Sequence, residues 1–83
     1  MLLIKETAME INYKCTFVIP GKGEDSFAKT DTDLQNLLID YIVRREVNLV
    51  TREYRVFLKS EPSKEVSEKI QEIIGYKPEY EAI

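Results

Sequence analysis

Histidine is absent from this chain, cysteine occurs once, and glycine and proline occur three times each. Each shortage removes a class of function. Without histidine the usual general base, the usual triad member and the commonest zinc ligand are all missing. The single Cys15 closes no intramolecular disulfide, so the cross-linked framework of a small secreted domain is excluded and a reducing cytoplasm is the expected setting. One cysteine also makes no thiolate metal site. Cys15 falls at an inward strand position, where it is expected as a small buried hydrophobe rather than a nucleophile. No Asn-x-Ser/Thr sequon occurs.

Long apolar runs are missing too. Met1-Leu2-Leu3-Ile4 gives way at once to Lys5-Glu6, too short a stretch for a signal peptide or a spanning helix, so no membrane association is expected. Lys5-Glu6 can be encoded by AAG-GAG, a bacterial ribosome-binding sequence, shortly ahead of Met9. Met9 is therefore a candidate start, with residues 1–8 then a non-native or flexible leader; the alternative is that Lys-Glu is simply a common dipeptide. Surplus positive charge is absent as well: the net charge of −3 argues against the basic footprint of a general nucleic-acid binder.

What the chain has is segregated charge. Its four arginines, Arg44, Arg45, Arg52 and Arg55, fall in one twelve-residue window, whereas the stretch after Ser60 carries six glutamates against three lysines. With 43% hydrophobic and 33% charged residues in 83, the composition is that of one globular domain spanning 1–83.

Positions Ile11, Tyr13, Cys15, Phe17 and Ile19 alternate with mostly polar neighbours and predict a half-buried strand. Pro20-Gly21-Lys22-Gly23 predicts a chain reversal, followed by a short hairpin strand over residues 26–30. Thr32 and Gln35 fit a capping box, opening a helix whose apolar positions are Leu34, Leu37, Leu38, Tyr41 and Ile42; Ile39 and Val43 widen that sector. Between Glu46 and Lys59 the apolar parity switches from Val47 and Leu49 to Tyr54, Val56 and Leu58. That requires either a bulge or a turn between two strands. With no glycine or Asn-Gly there, a single bulged strand is preferred. A second helix opens near Ser60-Glu61-Pro62-Ser63 and closes at Gly75, and residues 76–83 form a docked tail. The expected fold is α+β: two helices on one face of an antiparallel sheet of three strands, in the order ββαβα. A fourth strand is added if the tail contributes or the third strand splits.

No catalytic constellation assembles from these residues. Asp31-Thr32-Asp33 lacks the further ligands, glycine and distal glutamate of a calcium loop and is read as helix capping. Gly21-Lys22-Gly23 lacks the spacing, the following Ser/Thr and the helix start of a phosphate loop. Carboxylates pair only as Glu24-Asp25 and along helix surfaces. No enzyme activity, cofactor or metal is expected.

Binding remains. The expected contact surface comprises Arg44, Arg45, Arg52, Tyr54, Arg55, Phe57, Lys59, Tyr76 and Tyr80, since arginine and tyrosine dominate interface energetics. The favoured reading is a protein-binding module, an inhibitor or regulator of a host protein carried by a phage or mobile element. One alternative is single-stranded nucleic-acid binding through Arg44 to Lys59, with Tyr54 and Phe57 stacking on bases. Another is a small homodimer, which would explain the wide apolar sector of the first helix. The segment Glu72-Ile73-Ile74-Gly75-Tyr76-Lys77-Pro78-Glu79 resembles a helix-ending segment of the phage uracil-DNA glycosylase inhibitors. That resemblance implies the inhibitor form of the first reading. In that family the segment precedes the sheet, the acidic strand of the family is missing here, and no functional residues carry over.

Overall fold

A computed structural model describes residues 10–83. The expected leader and the start at Met9 lie outside the described residues. Six elements follow in order: β1 (Tyr13–Val18), α1 (Glu24–Leu37), β2 (Ile42–Asn48), β3 (Glu53–Leu58), α2 (Lys64–Ile74) and β4 (Glu81–Ala82). The strands form one antiparallel sheet in the order β2-β3-β1-β4. Since β1 and β2 both run antiparallel to β3, they are parallel to each other, with α1 as their crossover and β3 inserted between them. α2 links β3 to β4 around β1 in the same way. This is the split β-α-β connectivity of ferredoxin-like folds.

The α+β class and the antiparallel sheet follow the expectation, and both routes to a fourth strand are taken: the tail supplies β4 and residues 46–59 divide. One face of the sheet is dry. Cys15, Phe17 and Ile19 from β1 and its end, with Tyr54, Val56 and Leu58 from β3, form a single core with Phe27, Leu34 and Leu38 below α1 and Ile70 and Ile74 of α2. Alternation decides this, because successive strand side chains point to opposite faces. Thr16 and Val18 are accordingly exposed between buried neighbours. Among the described residues no helix is long and apolar enough to cross a membrane.

Three local expectations are corrected. Residues 26–30 are helical, not a hairpin strand, and the element order is βαββαβ rather than ββαβα. Phe27 and Leu34, spaced by seven, and Leu38 just beyond the helix meet the same core, and the hydroxyls between them bond back to the helix rather than to strand partners. Thr30 Oγ1 donates to the Ser26 carbonyl and Thr32 Oγ1 to that of Ala28. Thr32 is thus interior to α1 and is no cap; Gly23 holds that place, at φ 86°, with Glu24 and Asp25 in the first turn at the positive end of the helix dipole.

Second, Tyr41 and Ile42 do not extend the helix. It stops at Leu37, and the amides of Tyr41 and Ile42 both donate to the Leu38 carbonyl in a tight turn leading into β2. Leu34, Leu37, Leu38, Tyr41 and Ile42 of the wide apolar sector therefore face one core from two elements, whereas Ile39 is left 68% exposed.

Third, residues 46–59 are a hairpin rather than one bulged strand. Asn48 pairs with Glu53, so odd positions of β2 share a face with even positions of β3, which accounts for the parity switch. The turn uses a side chain in place of glycine: Asn48 Oδ1 accepts from the amides of Val50 and Thr51 at 2.9 and 3.1 Å, and Arg52 takes the left-handed conformation at φ 61°. A bulge does occur, but between Ile42 and Arg44 on β2.

α2 forms where expected. Ser63 Oγ accepts from the Val66 amide at 3.2 Å, and Gly75 ends the helix at φ 89°.

Candidate functional site

Helices cover one face of the sheet, and among the described residues no element covers the other. Register arranges that open face in three rows across the strands: Arg44, Phe57, Lys14; Glu46, Arg55, Thr16; and Asn48, Glu53, Val18. In the first row the Arg44 guanidinium lies over the Phe57 ring, 4.4 Å from its centroid, a cation–π contact. Lys14 Nζ, on the other side, reaches Glu81 on β4 at 3.7 Å. In the second row Glu46 is shared by two guanidiniums, Arg44 at 3.3 Å and Arg55 at 3.6 Å, while Arg55 Nε donates to Thr16 Oγ1 at 3.4 Å. An open groove of about 280 Å³ runs across the rows beside Glu46, Asn48, Glu53 and Arg55.

Charge on this face balances, with Lys14, Arg44 and Arg55 against Glu46, Glu53 and Glu81. The exposed ion pairs each contribute little, on the order of 0–1 kcal/mol, so the face is prearranged rather than locked.

Of the nine expected contact residues, Arg44, Arg55 and Phe57 are brought together here. Lys59 is exposed just past the end of β3. The other five hold the fold. Tyr54 is fully buried, its hydroxyl donating to Asp31 Oδ1 at 2.6 Å; burial, and then the neighbouring carboxylate, push its phenol upward from the ordinary range. Arg45 lies on the helix side, 3.5 Å from the same Asp31 oxygen. Arg52 reaches across to the loop between β1 and α1, and its guanidinium also lies 5.4 Å from the Phe27 ring centroid.

Tyr76 accepts a hydrogen bond from the Val18 amide at 2.7 Å, beyond the reach of the short β4, and the Tyr80 hydroxyl bonds Ser67 of α2 at 2.7 Å. Burial raises the Tyr80 phenol. These two tyrosines tether the tail. Sequence parity already separates Tyr54, in step with Val56 and Leu58, from Phe57 in step with Arg55. What parity cannot supply is the neighbouring strand, and so Thr16 and Lys14 were missed as companions of Phe57 and Arg55.

The remaining chemistry-bearing groups are quiet. The Cys15 thiol is buried and pushed up to about 12, chiefly by desolvation. A helix does start directly after Gly21-Lys22-Gly23, contrary to expectation. However, the Gly23 carbonyl is taken by Arg52 and the first turn carries Glu24 and Asp25, so negative charge already sits where an anion would bind. A wider groove, about 800 Å³, lies between α2 and the tail, with Ser67, Gln71, Lys77 and Tyr80 among its lining residues.

No family model, curated protein or solved structure matches this chain.

Proposed function

We propose that this chain is a non-enzymatic protein-binding module whose open sheet face, centred on Phe57 and Arg44, takes a partner protein. One observation carries the reading: an aromatic ring covered by a guanidinium at 4.4 Å, on a sheet face that no helix among the described residues covers, bordered by paired charges of both signs. Aromatic and arginine anchors inside a polar rim are the anatomy of protein interfaces. Balanced charge suits a protein surface, which presents both signs, better than a phosphate backbone, which presents one. The biological role this implies is a regulator or inhibitor of a host protein, acting in the cytoplasm and encoded by a phage or mobile element.

The test is a comparison of variants in photo-crosslinking from the open face. Phe57→Ala and Arg44→Ala, both off the core, are expected to lose a specific crosslinked protein that the wild type retains, with circular dichroism unchanged. Equal capture by all three excludes this face.

Single-stranded nucleic acid is the second reading, favoured by the placing of Phe57 between Arg44 and Lys14. Sheets that bind single strands stack two or three bases on exposed rings. Phe57 is the one aromatic in the three rows, and Arg44 already lies on its face. Affinity for oligonucleotides at low salt that collapses as salt is added would turn the assignment to this reading.

A further inference from the structure

Independently of what the open face takes, we infer that the outer edge of β2 pairs antiparallel with β2 of a second copy of this chain, joining two four-stranded sheets into one of eight. β2 is seven residues long and ends the sheet, and no strand among the described residues pairs with its outer side. An unpaired edge of that length is a template for another strand.

The sequence of β2 specifies which strand. In a twofold antiparallel pair each residue i stands opposite residue j of the second copy with a constant sum i + j, and opposite residues share a face. Open-face and helix-face residues alternate from Arg44 to Asn48, beyond the bulge between Ile42 and Arg44, so over that stretch the sum is even. A pair centred on Glu46 would set Glu46 against Glu46, and one centred on Arg44 would set Arg44 against Arg44; like charges directly opposite are destabilising. Centring on Arg45 sets Arg44 against Glu46 of the second copy, twice by symmetry. It leaves one like-charge pair, Arg45 against Arg45 on the helix side with Asp31 of each copy's own α1 at 3.5 Å, so two opposite-charge pairs stand against one like-charge pair.

The same register accounts for apolar surface that the single chain leaves uncovered. Ile39 is 68% exposed, Leu49 60% and Val50 93%. They flank the two ends of β2, and because an antiparallel twofold pair brings the start of one β2 to the end of the other, Leu49 and Val50 of one copy fall at the same end of the interface as Ile39 of the other. Burying apolar groups that would otherwise face water supplies the driving force that strand hydrogen bonds alone do not.

Sedimentation equilibrium over a range of concentrations tests this with the full chain. The wild type is expected to dimerise. In its own homodimer Arg44→Glu sets carboxylate against carboxylate at both symmetric positions, and Glu46→Arg sets guanidinium against guanidinium, so each variant alone is expected to weaken dimerisation at least about tenfold. Mixing the two variants gives a heterodimer in which one cross-strand pair joins the introduced glutamate to the introduced arginine and the other keeps the native Arg44 and Glu46. Opposite charges then face each other at both positions, and a heterodimer close to wild-type strength is expected. Circular dichroism of each variant separates a folding defect from an interface defect. A wild type that stays monomeric throughout overturns the inference, as does a mixture no stronger than the single variants, which would exclude this register. The Phe57→Ala arm of the crosslinking stays separate from these results because Phe57 lies on β3, whereas Arg44 belongs to both surfaces, so loss of crosslinking in Arg44→Ala alone is assigned to the dimer edge and loss in Phe57→Ala to the open face.

Discussion

Replacing Arg52 with alanine is expected to destabilise the fold by about 3 kcal/mol, although an exposed hairpin arginine would ordinarily cost little. Its guanidinium donates from Nε to the Ile19 carbonyl at 3.0 Å and from Nη1 to that of Gly23 at 3.1 Å. Nη2 donates to the Pro20 carbonyl at 3.0 Å and to Ser26 Oγ at 3.2 Å. One side chain thus fastens the β2–β3 hairpin to the loop that launches α1. The bonds to Ile19 and Ser26 are sheltered and count for about 1 kcal/mol each; the two exposed ones count for about half that, because water replaces the lost donor.

The backbone adds a second signature. Arg52 sits at φ 61°, where alanine is as strained as arginine and glycine is not. Arg52→Gly should therefore be more stable than Arg52→Ala by about 0.5–1 kcal/mol after glycine's extra unfolded-state entropy is counted. Arg52→Lys, a point charge on a flexible stem, should recover less than half the loss. Urea denaturation followed by circular dichroism gives the three values. In a domain of this size a loss of about 3 kcal/mol corresponds to a fall in Tm of roughly 10–20 °C. An alanine variant within about 0.5 kcal/mol of wild type, or a glycine variant below the alanine one, would refute the assignment of Arg52 as the clasp.

Ser63→Ala removes the acceptor for the Val66 amide at the start of α2 and should cost about 1 kcal/mol in the same assay, with Ser63→Asp near neutral. Tyr54→Phe leaves Asp31 without its 2.6 Å donor in a half-buried setting and should cost about 1–2 kcal/mol; an unchanged urea midpoint would mean that Gln35 and Arg45 already satisfy that carboxylate. Cys15 makes stability depend on alkaline pH: the unfolded thiol ionises near 9.0, while the folded one holds its proton to about 12. The unfolded state loses protons first, so stability is full below pH 9 and declines as pH rises from there toward 12, and the raised phenols of Tyr54 and Tyr80 act in the same direction above their ordinary range. A urea midpoint that stays level across that interval contradicts the burial of these groups. Thiol reagents at neutral pH should label Cys15 only in denaturant.

The strands and helices were legible wherever a local pattern had one meaning. Alternation from Ile11 to Ile19 identified β1 and the side on which Cys15 is buried. Serine and glycine stop signals identified α2 almost to the residue. Misreadings came where one local pattern served two structures. Phe27 is a single apolar residue among hydroxyls and charges, equally compatible with a short strand, and only its packing against Tyr54, in the core it shares with Leu34, favours the helix. Leu37 through Ile42 keep helical spacing across a turn because both sides of the turn face the same interior.

At the open face, chemistry and position divide in the same way. Residue types alone determined that the chain has no histidine chemistry, no disulfide framework and no general basic surface, and that arginine is concentrated in one window; those are properties of side chains, independent of arrangement. Which arginine does what was decided by tertiary structure. A guanidinium is a neutral choice between a clasp, a helix-side ion pair and a sheet-face contact until the strands are placed. Strand register then sets Arg44 over Phe57 and Arg55 beside Glu46, and the hairpin turns Arg52 back onto the loop after β1. Hydrogen bonds and cation–π contacts act over a few ångströms, whereas the residues they join here lie up to tens of positions apart in the chain.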